Sequence, residues 1–184
     1  MPSGIQQSSR VSSRRSRCSP RAGSRSALVW AVTTRVSSTI PILVGGRSDA
    51  ALVRAGQLGD GWLALWVSSR RFAEAVQRIE DAAGQAGRAN VQWSHALQLW
   101  AGFDASAARA RERLATAMQA AYALSFDRFE RYAPCGPPEL VAEALAPYLA
   151  LGCRTFNFVA EGQSLEAAID AAAEVKTVLS AVRL

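Results

Sequence analysis

From Ile40 onward the chain repeats one unit four times: a short apolar run, a glycine or polar turn, then a segment with helical spacing. Pro41-Ile42-Leu43-Val44 ends at Gly45-Gly46, as a buried parallel strand does. Ser48 can cap a helix through about Leu58, with Asp49 favouring the dipole in its first turn and Gly59 as its stop. Trp62 to Val67 reads as a second strand, followed by a helix with Phe72, Ala75, Val76, Ile79, Ala82 and Ala83 on one face and Gly84 and Gly87 at its end. Residues 91–100 alternate, with Val91, Trp93, His95, Leu97 and Leu99 on one side and Gln92, Ser94, Ala96, Gln98 and Trp100 on the other, which predicts a third strand. A helix over about 105–124 follows, with Ala107, Ala110, Leu114, Ala117, Met118 and Ala121 along one stripe.

After a loop with aromatics, Pro138 suits the opening of a helix to about Leu151, in which Pro147 removes the bond to Glu143 and is expected to kink it. Thr155 to Val159 is the fourth strand, and Ser164 opens a last helix carrying Leu165, Ile169, Ala172, Val175, Leu179 and Val182 inward. Every connection is long enough for a crossover helix, so the fold class is α/β with a parallel sheet and right-handed connections. Four such units suit a small open sheet or half of an eight-stranded barrel, and periodicity does not choose between them.

Charge divides the chain at the same place. The net charge is +6, but residues 1–40 hold seven arginines, eleven serines and no Asp, Glu or Lys, leaving fourteen cations against fifteen anions in the remainder. The basic character thus belongs to an Arg/Ser-rich leader, residues 1–39, whose low hydrophobicity and unopposed charge predict disorder. Such a segment suits an organelle transit peptide, a nucleic-acid-binding arm or translation in a wrong frame. Residues 40–184 form the domain.

Cys18, Cys135 and Cys153 are odd in number and widely spaced, which indicates neither a disulfide framework nor a zinc site and fits a reduced cytoplasmic setting. Only Lys176 is lysine among the 21 cationic residues, a coding bias of a GC-rich, bacterial source. No apolar run approaches the roughly 18 residues that span a bilayer.

The run from Ile40 through Gly45-Gly46-Arg47-Ser48-Asp49 to Leu52, then Ala55-Gly56-Gln57-Leu58-Gly59-Asp60-Gly61-Trp62, resembles a signature of the luciferase-like monooxygenase superfamily. Gly136-Pro137-Pro138-Glu139 through Leu145, with Leu151-Gly152-Cys153-Arg154-Thr155-Phe156-Asn157, supports the resemblance in the family's own order. It implies a (β/α)8 TIM barrel that binds FMN or the deazaflavin coenzyme F-420 and oxidises or reduces a small organic substrate. In that family the first motif lies near the middle of the chain. The expectation is therefore a partial barrel, strands five to eight only, inactive without the first half that supplies much of the ring pocket. On that ground a wrong-frame origin is preferred for the leader.

Gly45, Gly46, Arg47 and Ser48 are the candidate cofactor-binding residues. Backbone N–H groups at a strand-to-helix turn, a helix dipole and absent side chains suit a phosphate, with Arg47 adding charge and Ser48 a hydroxyl. The same four residues also suit an ordinary capped turn, and the resemblance tips the reading toward phosphate. Trp62 and Trp66 read as packing residues, with Trp66 near the strand end where barrel active sites lie. His95, the only histidine, has no ligand partner at metal spacing, so neither a metal site nor a triad is expected. Glu161-Gly162-Gln163-Ser164 reads as a capped turn, and Asp127 to Tyr132 as a solvated surface segment. A half barrel also leaves unpaired sheet edges, through which two copies can associate as a homodimer. The alternative function is a binding module whose leader engages nucleic acid.

Overall fold

The computed structural model describes residues 40–181 and the pair Ala27–Leu28. The expected disordered leader, those two residues apart, and the expected inward Val182 lie outside the described residues.

In chain order the elements are β1 (Ala27–Leu28), β2 (Leu43–Gly45), α1 (Asp49–Leu58), β3 (Gly61–Leu65), α2 (Ser69–Gln85), β4 (His95–Phe103), α3 (Ala107–Tyr122), β5 (Cys135–Gly136), α4 (Pro138–Ala150), β6 (Cys153–Glu161) and α5 (Leu165–Ala181). Serines start most of the helices. The hydroxyls of Ser48, Ser68, Ser106 and Ser164 each accept an N–H three residues on, which satisfies an otherwise orphaned donor of the first turn. α4 opens instead on Pro137-Pro138, where a missing N–H costs nothing. Pro147 stands in the final turn of α4, and the helix continues through it to Ala150.

Spatial order settles what periodicity left open. β2, β3, β4 and β6 lie side by side in the order of the sequence and all run parallel, with Leu43 opposite Gly61, Leu63 opposite Ala96, and Ala96 opposite Thr155. A doubly wound sheet reverses its strand order at a switch point, whereas a barrel adds each strand beside the last. This is a partial β/α barrel. β1 is the exception to the parallel expectation, since it runs antiparallel to β6 with Ala27 opposite Ala160.

The two faces of the sheet are covered by different helices. On the outer face Trp62, Leu97, Leu99, Phe103 and Phe158 pack with Leu52 of α1, Phe72 and Ile79 of α2, Val141 and Leu145 of α4, and Val175 of α5. On the inner face Trp100 and Val159 pack with Leu114 and Met118 of α3, and with Phe126. α3 is therefore not the crossover helix that its position after β4 suggests, and α4 carries the connection to β6. Gly102 permits this, because a Cβ there would stand 2.6 Å from the Ala110 carbonyl oxygen of α3.

Burial from both sides corrects the reading of the third strand. It begins at His95, not residue 91, and all of its nine residues except Gln98 are buried, Trp100 included. Apolar residues on both faces erase the alternation that marks a half-exposed strand. On α5 the inward stripe is Ala168, Ala172, Val175 and Leu179, whereas Leu165 and Ile169, expected inward, are 52% and 41% exposed on the flank of that stripe. β5, only two residues long, has no sequence signal except Gly136, whose φ is +143°.

Candidate active site

The strands end unevenly. Gly45, Leu63, Ala96 and Thr155 stand in one row across the sheet, after which β2 stops and β4 and β6 run on to Phe103 and Glu161. The step leaves the C-terminal ends of β2 and β3 below the ends of β4 and β6, and β5 pairs with Gly102 and Phe103 of β4 beyond the end of β3.

At its low side lies Gly45-Gly46-Arg47-Ser48, all four exposed. Gly46 has φ +115°, and a Cβ there would sit 2.8 Å from the Ala51 side chain, so the turn requires glycine. Its carbonyl oxygen accepts the Trp62 indole N–H at 2.7 Å, which ties the loop to β3. A Cβ on Gly45 would meet nothing within 4 Å, so open space stands before the first turn of α1. The Ser48 hydroxyl is turned inward to cap that helix at 3.3 Å from the Ala51 nitrogen. Asp49 pairs with Arg78 and, at 3.8 Å, with Arg71, which neutralises a carboxylate that would otherwise repel an anion here. The fit to a phosphate is good: open backbone at a helix start, Arg47 beside it, and the neighbouring acid already paired.

Trp66 follows β3 directly and takes φ +54°, a left-handed conformation rare outside glycine. Its ring packs against Phe129 at 4.7 Å, Tyr122 at 6.2 Å and Tyr132 at 6.5 Å between centroids. Trp100 joins this group by donating its indole N–H to the Tyr122 oxygen at 3.1 Å. Part of the stretch Asp127 to Tyr132, read from sequence as solvated surface, thus turns two rings onto the strand ends. Arg111 holds it from the other side through Glu130 and, at 3.2 Å, Asp127.

Asp104 is the residue that sequence reasoning missed. It follows β4, and its side chain has no exposed surface. It accepts hydrogen bonds from Arg109 Nε at 3.0 Å, the Ser106 N–H at 2.9 Å and Gln163 at 3.3 Å. Arg109 first, then the Ser106 N–H, hold its carboxyl well below the usual carboxylate range. The bond to Gln163 fastens the loop after β4 to the loop after β6, so Gln163 and the capping Ser164 both have structural work. The only sequence signal was an acid and a serine two apart at a strand end, the local pattern of an Asx turn.

His95 lies at the opposite, N-terminal end of β4. Its Nδ1 accepts the Trp62 backbone N–H at 3.2 Å, its ring stacks on Trp93, and burial pushes its pKa down to about 4. Burial likewise pushes the Cys135 and Cys153 thiols up to about 11 and about 12, so neither is a ready nucleophile.

The sequence profile of the family described as luciferase-like monooxygenase matches residues 14–155. The chain belongs to that family. Its solved structural neighbours share the fold. One is an F-420-dependent secondary alcohol dehydrogenase in complex with an F-420–acetone adduct, at 15% identity over 86% of this chain and 57% of that one, with TM-score 0.67. Another is the coenzyme F-420-dependent tetrahydromethanopterin reductase from Methanopyrus kandleri, at 22% identity over 72% and 48%, with TM-score 0.58. A third is monooxygenase RslO1 from Streptomyces bottropensis, at 20% identity over 83% and 54%, with TM-score 0.54. The luciferase-like chain spans about half the length of these neighbours. Among curated proteins no match is found.

Proposed function

We propose that this chain is the C-terminal part of a flavin- or F-420-dependent oxidoreductase acting on a small organic substrate. In this reading Gly45, Gly46, Arg47 and Ser48 receive the phosphate end of FMN or F-420. The supporting observation is the open turn at Gly45-Gly46 before α1, at the strand ends where barrel enzymes keep their sites. Backbone N–H groups of the first turn and the Arg47 guanidinium bind the anion; the Ser48 hydroxyl, already spent on its cap, contributes order to the loop. The bound group supplies hydride or oxygen chemistry, and the protein's part is to bind it, orient it and exclude water. Trp66, Phe129 and Tyr132 provide the apolar side of the step. Turnover in this reading requires the strands that complete the barrel, since among the described residues β2 ends the sheet on one side with Leu43 exposed.

Fluorescence titration of FMN and F-420 into the full chain, and into the same chain joined to the first half of a family barrel, tests this. Weak binding by the chain, at least tenfold tighter binding by the joined form, and a loss of tenfold or more in both on Arg47→Glu are expected. Failure of the joined form to bind either cofactor would sink the proposal.

A further inference from the structure

The ends of β4 and β6 carry more positive charge than their own packing uses. Asp104, directly after β4, is ringed by donors: its Oδ1 accepts Arg109 Nε at 3.0 Å and the Ser106 N–H at 2.9 Å, and its Oδ2 accepts Gln163 at 3.3 Å. Arg109 Nη2 also lies 2.8 Å from that Oδ1. One guanidinium and two neutral donors already neutralise and satisfy the carboxylate. A second guanidinium is nevertheless drawn to it, with Arg113 Nε 3.8 Å from Oδ2. Two cations against one anion leave the cluster with one unbalanced positive charge.

Arg109 and Arg113 stand four apart on α3, so they share one side of the helix, where like charges repel. Their side chains are 60% and 41% exposed, whereas that of Asp104 has no exposed surface. The buried carboxylate therefore holds both guanidiniums in place and leaves their remaining N–H groups open. Among the described residues Nη1 of Arg109 and both Nη atoms of Arg113 have no hydrogen-bond partner. Arg111 of the same helix shows the opposite balance, one guanidinium shared by Glu130 and Asp127. A structural ion pair at Asp104 requires only one arginine.

Resting on the oxidoreductase reading above, we infer that Arg109 and Arg113 bind an oxyanion of the substrate, which is thereby a small organic acid, a carboxylate or a sulfonate. Asp104 is the residue that positions them. The planar donor fork of a guanidinium matches such an anion, and an anion between the two relieves their repulsion. Because the buried carboxylate already fixes one side of the pair, little ordering remains to be done on binding. The pair stands at the ends of β4 and β6, across the step from the glycine turn after β2, so cofactor phosphate and substrate anion have separate receptors.

The test follows the arginine Nε–H and the backbone amide NMR signals of the full chain during titration with acetate, methanesulfonate, inorganic phosphate and FMN. Acetate and methanesulfonate should move the Arg109 and Arg113 signals to saturation, while Arg54, an exposed arginine of α1, drifts only in proportion to salt. FMN should move the amides of residues 46–50. Arg113→Gln should weaken acetate at least fivefold. Asp104→Asn should weaken it too, although losing a negative charge alone would strengthen anion binding. If the pair does not saturate, or Arg54 responds equally, this assignment is wrong and the phosphate loop is untouched. If FMN moves the pair and not residues 46–50, the pair belongs to the cofactor, which overturns both this assignment and the loop. The saturating shifts are read on the unaltered chain, so a variant that fails to fold leaves the result intact.

Discussion

His95 accepts the Trp62 N–H through Nδ1, so its neutral ring carries the proton on Nε2, which finds no partner among the described residues. Protonating Nδ1 would break the bond to Trp62 and place a charge between the rings of Trp93 and Phe72, which is why burial lowers its pKa. A base whose folded pKa lies below its unfolded value stabilises the fold fully above pH 6.5 and loses that contribution as pH falls toward 4. A lowering from 6.5 to about 4 corresponds, at 1.36 kcal/mol per unit, to about 3 kcal/mol. Urea unfolding at pH 7.5 and pH 4.5 should show that loss in the natural protein and a much smaller one in His95→Asn, which keeps an acceptor without a titrating ring. Equal losses in the two would show that His95 is not the group responsible. Its isolation in the sequence gave no reason to expect a metal site at His95, but only the structure shows which end of the strand it occupies. Asp104 was invisible for the opposite reason: its partners Arg109 and Gln163 stand five and fifty-nine residues away, and spacing carries no sign of the second.

At the scale of elements, local chemistry was legible wherever the cause was local. Ser48 and Ser164, read from sequence as helix starts, cap their helices because a hydroxyl reaches an N–H three residues on, and Ser68 and Ser106, which the sequence reading did not single out, do the same. Gly56, by contrast, looks like a flexible residue inside α1 and is a contact. A Cβ there would lie 2.4 Å from the Ile79 carbonyl oxygen and 2.8 Å from the Ala82 side chain, so glycine is what lets α1 and α2 approach. Gly56→Ala should raise helix propensity yet destabilise the protein by about 1–3 kcal/mol, because overpacking outweighs the propensity gain. Thermal or urea unfolding decides the sign, and a stabilised variant would refute the contact. Of the stripe that helical spacing gave α3, Ala110, Leu114 and Met118 are buried and Ala117 is partly so, whereas Ala107 and Ala121 at its two ends are exposed, and an amphipathic stripe states only that one side is covered. Which face of the sheet it covers depended on Gly102 and on the long return through residues 123–134.

For the molecule as a whole, strand order is the feature that makes the sheet a piece of barrel, and its edges set the behaviour in solution. Among the described residues β1 lies against β6 at one edge, whereas β2 ends the other with Ile42 59% and Leu43 37% exposed, and Leu58 is 70% exposed. An apolar strand edge pairs readily with another chain, and a charge on it is the usual deterrent. Sedimentation velocity should therefore show association that rises with concentration, weakened by Ile42→Lys; a monomer at every concentration would exclude pairing through this edge. The amino-acid sequence by itself determined the four main strands and five helices, the helix starts at Ser48, Pro138 and Ser164, the parallel crossover pattern, the glycine turn at Gly45-Gly46 and the likeness to the luciferase-like family, because each rests on neighbours within a few residues or on a contiguous motif. Tertiary structure alone decided that α3 covers the inner face, that Trp66 meets Phe129 and Tyr132, and that Asp104 joins Gln163. It also set Gln98 of β4 opposite Asn157 of β6. Those pairings join residues tens of positions apart through the register of a sheet, and register is fixed by packing on both faces at once, which no periodicity along one strand can express.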